Sequence, residues 1–179
     1  MSEPGGLEWF NGLPSEQARA ALLACCAAPG WAGPVADGRP YPSLAALIER
    51  SDAVTGRLDS AGLRAALDGH PRIGDRAGAG HGDRGWSRGE QAGVAGADEA
   101  VRRGLAEGNA AYERRFGHVY LVCAAGRSGA ELLAVLQDRL GNDPAAEWAV
   151  VRAELGKINA LRLRKLLAQA GLHSPETRR

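Results

Sequence analysis

A chain of 179 residues with a 45% apolar share is long enough to bury one core of ordinary size, so a single domain spanning 1–179, with its core over about 7–172, is expected. With 22 Lys and Arg against 21 Asp and Glu, the net charge of +1 sets up no field that would gather nucleic acid or an anionic membrane surface. No run approaches the roughly 18 apolar residues of a membrane span, and MSEPGGLEWF lacks the basic-then-apolar start of a secretion signal, so a cytoplasmic chain is expected.

Between Pro14 and Ala28, Ala18, Ala21, Leu22, Cys25 and Cys26 fall at helical spacing, and Pro29-Gly30 reads as the stop. Ser43 can cap a second helix with a stripe of Leu44, Leu47, Ile48, Val54 and Leu58, and Asp59 a short third that ends at Gly69. A glycine-rich loop follows His70. Ser87 and Glu90 then have the spacing of a capping box, opening a helical pattern that runs through Val101, Leu105 and Tyr112 to Phe116-Gly117, weakened early by Gly89, Gly93 and Gly96. Ser128 and Glu131 repeat the box before another helix, and Asn142-Asp143-Pro144 starts the last one, whose stripe of Trp148, Val151, Leu155, Ile158, Leu161 and Leu166 closes at Gly171. Only VYLVCAA, residues 119–125, reads as extended, and a lone strand cannot complete its own ladder. The expected fold is therefore all-α: a helical bundle with one long glycine-rich loop and a short buried connector whose backbone groups are open to a ligand.

Several residues could carry chemistry. His70 stands at a helix end before Pro71, which fixes its backbone, although a histidine there also suits the helix C-terminal dipole. Glu90 can complete a capping box, orient a histidine, or do both. Arg162 lies between Leu161 and Leu163, where a guanidinium needs a carboxylate from the protein or from a ligand. His70, Asp75, His81 and Asp83 do not have the spacing of a metal site, and Cys123 lies too close to Arg127 for a cysteine-phosphatase loop. Cys25, Cys26 and Cys123 read as buried free thiols.

Taken in order from about residue 7 to 167, WFNGLP, RPYPSLAAL, HPRIG, SRGEQAG, FGHVYLVCAAGRSGAELL, RLGNDPAAE and KINALRLRKLL closely resemble the OHCU decarboxylase family. That family acts on 2-oxo-4-hydroxy-4-carboxy-5-ureidoimidazoline (OHCU), an intermediate of urate breakdown. The resemblance implies an all-helical homodimer that converts OHCU to (S)-allantoin with no cofactor and no metal. It places the catalytic histidine at His70, its acidic partner at Glu90 and a carboxylate- or carbonyl-binding arginine at Arg162. It puts Pro71, Ser87, Arg88, Gly89 and Gln91 against the substrate, with backbone contacts from Tyr120, Leu121, Val122, Cys123 and Ala124. The loop would then join two catalytic groups and let them approach one small polar molecule from different sides. A helical binding module without catalysis, or a decarboxylase of another carboxylated ureide, are the alternatives; His70, Glu90 and Arg162 together favour an enzyme.

Overall fold

Short helices punctuated by prolines, glycines and capping side chains run through the computed structural model, which describes residues 4–74 and 86–173. In chain order they are α1 (Pro4–Gly12), α2 (Ser15–Cys25), α3 (Pro29–Asp37), α4 (Leu44–Gly56), α5 (Ser60–Asp68), α6 (Trp86–Glu90), α7 (Ala92–Ala95), α8 (Glu99–Phe116), α9 (Gly129–Arg139) and α10 (Pro144–His173), and no strand occurs among the described residues. The all-α expectation holds. The chain gathers into two compact units, one made of the segment up to Leu63 with the segment from Gly156, the other of Arg64–Leu155.

In the first unit, Phe10, Leu22, Trp31, Leu47 and Leu163 are fully buried. The expected first helix ends early: Cys26 is already extended (φ −147°, ψ 120°). Pro29, read as a stop, is instead the first residue of α3, where its missing N–H costs no helical bond. Burial of Trp31, Ala32, Val35 and Ala36 outweighs the turn-like look of PGWAGP, and the Trp31 indole N–H donates to Ser51 Oγ at 3.2 Å. Ser43 caps α4 as expected, accepting from the Ala46 N–H at 3.1 Å, and Asp59 accepts from Gly62 at 2.7 Å as α5 begins. Leu58, placed on the α4 stripe by its spacing, lies past the end of that helix but is still buried.

The second unit corrects one expectation that bears on function. The pattern from Ser87 to Phe116 is not one helix but three, broken at Gln91 and again before Asp98, which restarts the chain by accepting from the Val101 N–H at 2.8 Å. Ser87 lies inside α6 and Glu90 at its end, so Ser87 does not stand at the N-cap position its spacing suggested; the buried indole of Trp86 is already within the helix. Gly117, at φ 73°, closes α8 in the left-handed conformation that glycine adopts without strain. The box at Ser128 and Glu131 is present with both of its bonds, and Asp143 with Pro144 opens α10, which runs on to His173. Ile73, Val94, Leu105, Tyr112, Leu132 and Leu136 form this unit's core, together with Tyr120, Val122 and Ala124 of the connector. Every second residue of 120–124 thus enters the core, the period of an extended chain.

Candidate active site

His70 follows directly on α5, and its backbone N–H donates to Leu67 O at 2.9 Å. Its ring turns back on the helix, with Nδ1 2.8 Å from the carbonyl oxygen of Ala66. A carbonyl only accepts, so Nδ1 carries the hydrogen and the neutral ring keeps its basic lone pair on Nε2. The helix-end role and a chemical role are thus compatible: one nitrogen satisfies an open carbonyl of α5 and fixes the tautomer of the other.

The segment after His70 is tied down from three sides. Arg72 forms a two-pronged pair with Glu113 of α8 at 2.5 and 2.7 Å, a bond that holds the Glu113 carboxyl below the usual range. Asn109, buried in the same helix, donates to Ile73 O at 2.8 Å. Gln91 accepts from the Gly74 N–H at 3.0 Å and donates to Arg72 O at 3.4 Å. Gln91, expected against the substrate, thus links the α6–α7 break to the turn after His70. Pro71 is half-buried in that turn, Gly89 is exposed and Glu90 is buried; the side chains of Ser87 and Arg88 lie outside the described residues, as do Asp75, His81 and Asp83.

The connector approaches the same region. At Gly93 in α7, a methyl group would lie 2.0 Å from Arg127 O, so only glycine lets α7 come this close to the turn that leaves the connector. Burial pushes the Cys123 thiol up; the Ala125 N–H opposes this, and the charges of Glu154 and Glu90 add to it. Cys123 is therefore within electrostatic reach of Glu90, and it is not an activated thiolate of the phosphatase kind. It is half-buried, whereas Cys25 and Cys26 are buried free thiols as expected.

Two buried charges hold the connector's backbone. Arg139 donates from Nη1 to Leu121 O at 2.7 Å, and Glu154 accepts the Cys123 N–H at 2.8 Å. Arg139 is itself fixed by Glu147, which also accepts from the Tyr112 hydroxyl and, at 2.8 Å, from Asn142. Tyr120 donates its hydroxyl to Leu132 O at 3.1 Å. Sequence reasoning missed Asn109, Arg139, Glu147 and Glu154, because a polar residue on a helix reads as solvated until its neighbours are known. Arg139 and Glu147 had one signal: they flank Asn142-Asp143-Pro144, where the chain must turn.

Arg162 belongs to the first unit. It is buried, as its apolar neighbours required, and Nη1 donates to the carbonyl of Cys25, the last residue of α2, at 3.0 Å. Its charge and a bond from Asn159 act on the Cys26 thiol, whose pKa nevertheless rises through burial. Apart from these residues, a cavity of about 500 Å³ in the second unit is lined by Arg64, Asp68, Glu113 and His118 among others, and none of the expected site residues borders it. Among the described residues no cluster of three or more His, Cys, Asp or Glu could hold a metal, and no helix is long and apolar enough to cross a membrane.

Comparison with known families decides what these residues share. The family model described as OHCU decarboxylase matches residues 11–164, a span that includes His70, Glu90 and Arg162. The chain belongs to the OHCU decarboxylase family. A 2-oxo-4-hydroxy-4-carboxy-5-ureidoimidazoline decarboxylase from Amia calva is 37% identical over 90 residues, covering 49% of this chain and 51% of that protein. The uric acid degradation bifunctional protein TTL of Arabidopsis thaliana is 28% identical over 157 residues, 86% of this chain and 48% of its own length. The chain thus spans about half the length of these relatives. A crystal structure of an OHCU decarboxylase in the presence of (S)-allantoin superposes with a TM-score of 0.73 at 26% identity, covering 83% of this chain and 98% of that one. An (S)-allantoin synthase shares the fold, with a TM-score of 0.68 at 15% identity over 89% of this chain and 53% of that one.

Proposed function

We propose that this chain decarboxylates OHCU to (S)-allantoin in urate degradation, as a carboxy-lyase without a cofactor. One observation carries the reading: the family match contains His70, whose Nδ1 bond to Ala66 leaves Nε2 as the basic nitrogen of a fixed ring. The substrate explains why an imidazole suffices. When carbon dioxide leaves, the electron pair remains on the carbon bearing the hydroxyl, and the adjacent ring C=N accepts it, so the substrate carries its own electron sink. The protein is left with acid–base work and stereochemistry. His70, oriented by Glu90, takes the hydroxyl proton of the enediol-like intermediate, and protonation on one face of the ureido-bearing carbon gives the S product. Arg162 holds a carboxylate or carbonyl of the substrate, for which its planar fork is suited. Pro71, Gly89 and the connector complete the pocket. In this reading the protein works as a cytoplasmic homodimer, and sedimentation at micromolar concentration should return twice the chain mass.

The direct test is His70→Ala assayed on freshly generated OHCU. Its rate should fall by at least about 10²-fold, the scale of a lost acid–base group, with unchanged helical circular dichroism because the ring lies beyond the end of α5. Retention of half the wild-type rate would remove His70 from the mechanism. Chelators should leave the wild-type rate unchanged, and a rate restored by adding one metal ion would contradict the cofactor-free reading.

A further inference from the structure

We propose that Arg139 and Glu154 are positioning residues of this site, gripping one edge of the connector so that its opposite edge is held fixed for substrate. The inference rests on the decarboxylase reading above. In an extended chain, successive residues turn their N–H and C=O groups to opposite edges. The groups held are the C=O of Leu121 and the N–H of Cys123, two residues apart and so on one edge. The peptide groups of Val122 then face the other edge, while its side chain is locked into the core between those of Tyr120 and Ala124.

The two holders are unusual for so small a task. Arg139 is 3% exposed and Glu154 7%, and burying a charge costs far more than burying an amide that could make the same bond. What charge adds is stiffness, since hydrogen bonds to ionised groups are shorter and about twice as strong as neutral ones. Arg139 cannot swing away: Glu147 binds two of its nitrogens, and its guanidinium lies 4.9 Å from the centre of the Tyr120 ring. The segment held this way leads into the turn whose Arg127 carbonyl α7 meets at Gly93, and α7 follows Glu90 and Gln91 directly in the chain. A backbone edge that is loosened there holds the substrate less tightly, because part of the binding energy goes into ordering it again.

The test compares Glu154→Gln, which can still accept the Cys123 N–H, with Glu154→Met, which cannot, and adds Arg139→Lys, which keeps the charge beside Glu147 but loses the fork. Glu154→Met and Arg139→Lys should raise KM for OHCU by about 10-fold or more, the scale of one lost hydrogen bond to a charged group. Because such a contact binds ground and transition states alike, kcat should change little. Glu154→Gln should restore KM to near the wild-type value. A folded Glu154→Met enzyme with wild-type KM, or an equal rise in Glu154→Gln, would overturn the inference, and Glu154→Met decides the matter if Arg139→Lys does not fold. A wild-type chain without turnover would sink the decarboxylase reading instead. Amide exchange would then judge the grip: Val122 and Cys123 must exchange faster in Glu154→Met but not in Glu154→Gln, and unchanged exchange would overturn it.

Discussion

Glu90 is only 8% exposed, and burying a carboxylate costs far more than burying an amide of the same shape. It stands at the end of α6, and Ser87 lies inside that helix and not at its N-cap. Glu90→Gln keeps shape and removes charge, so turnover should fall by roughly 10²-fold while the melting temperature stays close to that of the wild type. Near-normal turnover from pH 6 to 9 would leave His70 without its proposed partner. His118 allows a prediction that does not depend on catalysis. Its ring is buried against Trp148, with centroids 4.3 Å apart, and burial holds its pKa below the ordinary 6.5, helped by the charges of Arg139 and Arg64 and opposed by its bond to Val119 and the charge of Glu147. The unfolded chain therefore binds this proton more readily than the folded one. The stability His118 contributes is complete above about pH 6.5 and is lost as the pH falls through its lowered pKa. The melting temperature should drop between pH 7 and pH 5, and His118→Phe, which keeps a ring against Trp148, should flatten that slope; an identical slope in the variant would place the pH dependence elsewhere.

Among the elements, α7 shows how a short piece can set a site. Its four residues have no helical strength of their own, and the close backbone approach at Gly93 places it against the Arg127 carbonyl. Gly93→Ala should destabilise the fold by about 1–3 kcal/mol, the usual scale of overpacking, because a backbone atom cannot move aside as a side chain can. Equal midpoints in urea for variant and wild type would mean the approach is looser than described. The same element marks where the sequence was hard to read. Gly89, Gly93 and Gly96 weakened a helix on paper, but only the folded chain shows breaks at Gln91 and before Asp98. Pro29 misled in the other direction, since a proline that stops one helix also starts another, and the buried face that favours α3 depends on residues as distant as Ser51. Where caps were local, at Ser43, Asp59, Ser128 and Asp143, sequence and structure agree because cap and helix are adjacent in the chain.

At the scale of the whole molecule, the placement of His70 at a helix end and the burial of Arg162 were legible because each has a short-range peculiarity, a following proline and a charge between two leucines, and the ordered fragments pointed to one family. The groups that hold the connector and the turn after His70 were not, since Arg139, Glu147, Asn109 and Glu154 gain their meaning from contacts 18 to 36 residues away in the cases of Leu121, Tyr112, Ile73 and Cys123. The near-zero net charge sets up no large surface field, so the electrostatics around buried Glu90 and His70 in the second unit, and around buried Arg162 in the first, are local. The central claim is the proposed reaction: the chain removes carbon dioxide from OHCU and delivers a proton to one face. Circular dichroism of allantoin formed from freshly generated OHCU tests it most directly. A rapid, single-signed signal for the S enantiomer, lost in His70→Ala, is the predicted result; racemic allantoin at the uncatalysed rate would contradict it.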